Sequence, residues 1–213
     1  EARSRDADRH DGVHRGPLHG VPVLVKDNIE AVGLPGTAGS LALADRTVTS
    51  DSPAAARLRG AGAVIVGSTN LSEWANFRSS SSISGWSAVG GLTGNPWALD
   101  RSAGGSSSGS GAAVAAGLAP VAIGTETNGS ITCPAALNGV VGIKPTVGSV
   151  PTAGVVPISA SQDVPGPLAR SVRDAAIVLE VISGRGGLVD ACRPDAGRPL
   201  RVRAASGWRA GDP

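Results

Sequence analysis

The chain has no Tyr and no Met, and only one Phe and four Trp in 213 residues. A core with so few aromatics must rest on Ala, Val, Leu and Ile. Cys133 and Cys192 are the only cysteines, which excludes a disulfide framework and a four-cysteine zinc site and favours a reducing, cytoplasmic setting. The three histidines, His10, His14 and His19, all precede residue 20. A Ser–His–Asp triad or a histidine-based metal site would have to draw on them, and none follows the serine-rich motifs. No apolar run reaches the length of a bilayer span, and no secretory leader is recognisable at Glu1. A net charge of +2 is too small to indicate nucleic acid or an anionic membrane as partner. Lysine is also scarce: of 19 Lys plus Arg, only Lys26 and Lys144 are Lys. Arg keeps its proton in a protein, whereas a buried Lys can be tuned to act as a base. On composition alone, codon bias accounts for the pattern equally well.

Hydrophobic residues make up 41% and charged residues 17%, enough for a sizeable core, and 31 glycines predict many tight turns. Residues 1–15 read as a charged, solvated lead-in, the end of a helix. Val21 to Val25 is a β-branched strand that delivers Lys26 to its end. Ser52-Pro53 opens a helix to about Gly60, and residues 63–67 form a short buried strand. A second helix is expected from Asn70 or Leu71, carrying Glu73 and Trp74, followed by a Ser/Gly-rich loop over 78–95. A small-residue helix is expected over 109–118, with strands at 121–124 and 140–143. Ser171 with Asp174 makes a capping-box-like start to a helix through Ile182. Alternating short strands and helices predict an α/β fold. From about Gly184 the periodicity is lost, and residues 184–213, rich in Arg, Gly and Pro, read as a disordered tail or a stretch read in a shifted frame.

The densest motifs lie between Ala103 and Thr146. Gly104 and Gly109 have the spacing of a phosphate loop, but Ser110 stands where that loop needs Lys. The dinucleotide pattern around Gly109 and Gly111 is incomplete. A hydroxyl nucleophile needs a base, and without a usable His a neutral Lys is the alternative, with a second serine able to bridge them. Gly129-Ser130 places a hydroxyl after a glycine, where backbone amides can converge on an oxyanion. Taken singly, the Gly104–Gly111 stretch also reads as a linker and Ser130 as a turn or helix cap.

Gly-Gly-Ser-Ser-Ser-Gly-Ser (104–110), Gly-Thr-Glu-Thr-Asn-Gly-Ser-Ile (124–131) and Gly-Val-Val-Gly-Ile-Lys-Pro-Thr (139–146) resemble the amidase signature family, as does Lys26 upstream. The likeness covers residues 16–183 in family order, with Ser106 and Ser130 at the family's separation of 24 residues. It implies a large mixed β-sheet flanked by helices. It also implies a Ser–Ser–Lys triad in which Ser130 is the nucleophile, Ser106 the bridge and Lys26 the base. Backbone amides of Thr127, Asn128, Gly129 and Ser130 would line the oxyanion hole. Gly105, through a cis peptide to Ser106, would support the site together with Ser107 and Asp163. No metal and no organic cofactor are implied. Thr69–Arg78, Ser82–Ser87 and Gly124–Thr127 are most similar to the peptide-amidase branch, whose substrates are peptide C-terminal or other primary amides. Trp74 and Trp86 are then candidates to line a substrate cleft. An A-type amidotransferase subunit is the runner-up, although Thr132 stands where it usually carries Arg. Family members are much longer, so the resemblance also implies a chain incomplete at its C-terminus. An inactive fragment is the third reading.

Overall fold

The computed structural model describes residues 1–191. The elements in chain order are α1 (Ala2–His10), β1 (Pro22–Lys26), α2 (Pro53–Gly60), β2 (Val64–Thr69), β3 (Trp86–Ser87), β4 (Gly91–Leu92), α3 (Ser108–Ala115), β5 (Val121–Glu126), α4 (Thr132–Leu137), β6 (Val141–Gly142), β7 (Val164–Ala169), α5 (Val172–Ser183) and α6 (Leu188–Ala191). Five strands form a mixed sheet in the order β2-β1-β5-β7-β6; β3 and β4 make a separate antiparallel pair. β1 runs parallel to β2 and β5, while β7 is antiparallel to β5 and β6. The α/β class with a mixed, helix-flanked sheet is therefore observed.

Helices cover both faces of the sheet, as strand periodicity requires when the strands are buried on both sides. Val23, Val25, Val121 and Ile123 join Ala54 and Leu58 of α2 and Ala175, Val178, Leu179 and Ile182 of α5 in one apolar cluster. The alternate positions look the other way, and there Gly124 lies against Ser107 at the start of α3. A Cβ on Gly109 of α3 would sit 2.6 Å from the backbone of Asn70, so the small residues of this helix permit its close packing.

Local signals account for the helix ends. Ser52 Oγ accepts the Ala55 amide at the start of α2, and Ser171 Oγ accepts the Asp174 amide at the start of α5. Gly184 ends α5 in the left-handed conformation with φ 67°. Arg57 of α2 donates to the Ile182 carbonyl at 2.6 Å, tying the two helices together.

Two expectations differ, and β7, which contains Pro165 and Pro167, is a strand that no expectation covers. Ile143 donates to the Pro167 carbonyl, so the prolines turn their missing N–H groups to the β6 side. There the ladder with β6 covers only Leu168 and Ala169, and neither Pro165 nor Pro167 has to donate. The helix expected from Asn70 is a single 3-10 turn, Glu73–Asn76, with left-handed residues inside it. The loop over 78–95 contains the β3–β4 pair. The charged lead-in is α1, which has no buried residue and is tied to the sheet by Glu1, whose carboxylate accepts the Ile65 amide. Of the tail, residues 188–191 form α6, and the reading of 192–213 lies outside the described residues. Among the described residues no helix is long and apolar enough to cross a membrane.

Candidate active site

Lys26 ends β1 and is fully buried. Its Nζ donates to Ser106 Oγ and to Thr125 Oγ1, both at 2.8 Å, and lies 3.4 Å from the Thr125 carbonyl. Burial pushes this amine down from the ordinary lysine value of 10.5 to about 7, while the charges of Asp163 and Glu126 pull the other way. Lys144, by contrast, is exposed. Asn28 donates a further hydrogen bond to Thr125 Oγ1 at 3.0 Å, which holds that hydroxyl against Lys26.

Ser106 and Ser107 are fully buried ahead of α3. The Gly105–Ser106 peptide is cis. A Cβ on Gly105 would lie 2.3 Å from Ser72 Oγ, so no larger residue fits there. Ser107 Oγ donates to the Thr125 carbonyl and accepts the Thr125 amide, and its own amide donates to the Ser130 carbonyl at 3.0 Å. Ser107 thus stitches the loop bearing Ser106 to β5 and to the turn bearing Ser130. Among the described residues Ser130 Oγ has no hydrogen-bond partner, and Ser130 lines an open cavity of about 340 Å³ with Asn76, Thr127, Asn128 and Gln162.

The turn after β5 is organised by Glu126, a buried carboxylate to which the motifs alone assign no role. Its Oε1 accepts the Gly129 amide at 2.8 Å, and its Oε2 accepts the amides of Ile131 at 2.8 Å and Thr132 at 2.9 Å. Burial alone would raise its pKa, but the amides of Thr132, Ile131 and Gly129 together hold it below the ordinary glutamate range. This corrects one expectation: Gly129 spends its amide on Glu126 rather than offering it to an oxyanion. The amides of Thr127, Asn128 and Ser130 have no partner among the described residues. Asp163 accepts the Thr127 hydroxyl at 2.5 Å and the amides of Ile158 and Ser159 at 2.8 and 2.9 Å, so it braces the loop facing Ser130.

A second cavity, of about 300 Å³, adjoins the first: Ala75, Phe77 and Ile158 line both. Ala38, Trp74, Ala75 and Asn76 have φ of 52°, 48°, 54° and 72°, and they are the only non-glycine residues with positive φ among the described residues. Such conformations cost roughly 1–3 kcal/mol each and gather at functional sites. All four line one or both cavities.

The site therefore brings Lys26, Ser106 and Thr125 into one buried network, linked through Ser107 to the turn that bears Ser130 at the cavity wall. A family model described as Amidase matches residues 1–199. The chain belongs to the amidase family. Among solved amidases, it is 59% identical to the peptide amidase of Stenotrophomonas maltophilia, with a TM-score of 0.84 over 92% of this chain and 40% of that one. An amidase family protein from Bacillus anthracis is 38% identical, with a TM-score of 0.83 over 89% of this chain and 39% of that one. The A-type subunit of the glutamyl-tRNA(Gln) amidotransferase of Salinispora tropica is 47% identical over 211 residues, 99% of this chain and 42% of that sequence. The chain spans 31% to 42% of the length of curated amidase relatives such as these.

Sequence reasoning missed Glu126, Thr125 and Asn28. Glu126 had a usable signal, being a lone carboxylate at the end of an apolar strand whose six residues are all buried. Such a group demands several donors close by.

Proposed function

We propose that the chain carries the catalytic groups of a serine amidohydrolase, which cleaves the C–N bond of a primary carboxamide through an acyl-enzyme on Ser130. The observation that carries this reading is the fully buried Lys26, 2.8 Å from Ser106 Oγ, with its pKa brought to about 7 by burial. An amine so placed is substantially neutral near pH 7–8 and presents a lone pair to the Ser106 hydroxyl. Ser130 Oγ attacks the carbonyl carbon. Its proton passes to Ser106 as the Ser106 proton passes to Lys26. The oxyanion is received by the unpartnered amides among Thr127, Asn128 and Ser130. As the C–N bond breaks, Lys26 returns the proton through Ser106 to the leaving nitrogen and ammonia departs. Water, deprotonated by the same relay, then hydrolyses the ester and frees Ser130.

Peptide C-terminal amides are the favoured substrates, because the peptide amidase of S. maltophilia is 59% identical whereas the A-type amidotransferase chain from Thermotoga maritima is 42% identical. The match to the Salinispora protein over 99% of the chain favours a second reading, an amidotransferase A-type subunit, which would co-purify with partner chains. The decisive experiment is intact-mass detection of fluorophosphonate labelling near pH 8. A single adduct absent from Ser130→Ala is the expected result. A folded chain that takes no adduct would overturn the reading in favour of an inactive fragment.

A further inference from the structure

We infer that the cavity beside Ser130 is a side-chain subsite selecting primary amides with an uncharged apolar side chain next to the carboxamide, and that Phe77 and Ile158 set this selectivity. The inference rests on the amidase reading of Ser130. Ala75, Phe77 and Ile158 form a wall shared by the polar cavity over Ser130 and the second cavity, so an amide held at Ser130 can extend directly into the latter. The second cavity is lined chiefly by Ala38, Trp74, Phe77, Val156, Pro157 and Ile158. Its volume, about 300 Å³, is at the small end for a ligand pocket and suits a side chain rather than a whole peptide.

Two independent features mark it as more than a packing defect. The chain has five aromatic residues, and Trp74 and Phe77 line this cavity while Trp86 lies 4.9 Å beneath the Arg78 guanidinium that also borders it. Phe77, the only Phe, keeps 75% of its surface exposed there. Ala38, Trp74 and Ala75, three of the four left-handed non-glycine residues, shape its wall. The fixed charge of Arg78 at the rim opposes a cationic side chain.

The test is equilibrium binding to Ser130→Ala, which cannot turn the ligand over, by titration calorimetry with the N-acetyl amides of Ala, Leu, Phe and Lys. Leu and Phe amides should bind about tenfold or more tightly than the Ala amide, with the Lys amide weakest. Ile158→Asn and Phe77→Ala, each added to Ser130→Ala, should erase most of the ratio between the Leu or Phe amide and the Ala amide. Equal affinities across the series, or no binding of any member, would overturn the subsite. Wild-type labelling by fluorophosphonate separates the two claims: ordered affinities without labelling would sink the catalytic reading and leave the subsite standing.

Discussion

Glu126 holds the amides on either side of Ser130, those of Gly129 and Ile131, and leaves the Ser130 amide unpartnered. One carboxylate therefore fixes which way the Ser130 N–H points. It also adds a negative charge to the surroundings of Lys26.

Glu126→Gln should loosen this turn. An amide side chain has one acceptor oxygen where the carboxylate has two, so an amide of the turn would face an NH₂ group. A loss of roughly 1.5–3 kcal/mol is expected for hydrogen bonds to a charged group. Its pKa is lower in the folded state than in the unfolded chain, so the wild-type stabilisation is complete above the ordinary glutamate range and fades as pH falls toward the lowered value. Urea melts from pH 7 down to pH 3 should show an acid-dependent loss in the wild type that the variant lacks, together with at least tenfold slower labelling.

Lys26→Met should abolish labelling and alter the pH dependence of stability. The folded pKa is about 7 against 10.5 for an ordinary lysine, so between these values the unfolded chain binds a proton that the folded chain does not. Wild-type stability should rise with pH across that window, by on the order of 5 kcal/mol in all, and the variant should stay nearly flat. With no Tyr and only one other Lys, few groups obscure the comparison, which chemical denaturation at pH 7, 8, 9 and 10 would make.

Wild-type labelling should increase with pH through about 7, as Lys26 loses its proton. Asp163 raises the Lys26 pKa through its charge, so Asp163→Asn should move the midpoint downward. Ser159→Ala, which leaves the Asp163 charge in place, should not move it. Labelling rates at half-unit pH intervals would show whether the two variants differ in this way.

Gly124→Ala should unfold the site from within. Its Cβ would lie 2.6 Å from Ser107 Oγ and 2.9 Å from Leu168 Cδ1, both in fully buried surroundings. Overpacking of this kind costs about 1–3 kcal/mol. A lowered melting temperature with slowed labelling is expected; a variant as stable and reactive as the wild type would contradict the packing described for α3 against β5.

Much of this molecule could be read from local rules. Ser52-Pro53 and Ser171 mark the starts of α2 and α5 because capping is a short-range hydrogen-bond requirement, and the β-branched run before Lys26 marks β1. The misreadings have tertiary causes. Residues 70–76 carry no helix breaker, yet the chain there turns left-handed, with the Trp74 amide donating to the Ala38 carbonyl. β7 tolerates its prolines because neither Pro165 nor Pro167 has to donate to β6. At the site, Lys26 and Ser106 stand out by residue type and spacing. Glu126 and Thr125 matter through partners that only the folded chain brings close, and the commitment of the Gly129 amide depends on which way one carboxylate turns.

The contrast between the two lysines has a practical side. Lys26 is sealed from solvent while Lys144 is exposed, and every other basic side chain is Arg or His. Amine-directed coupling to the folded protein therefore reaches one accessible lysine side chain, that of Lys144. A dye or a solid support can be attached there under native conditions without consuming the amine buried beside Ser106.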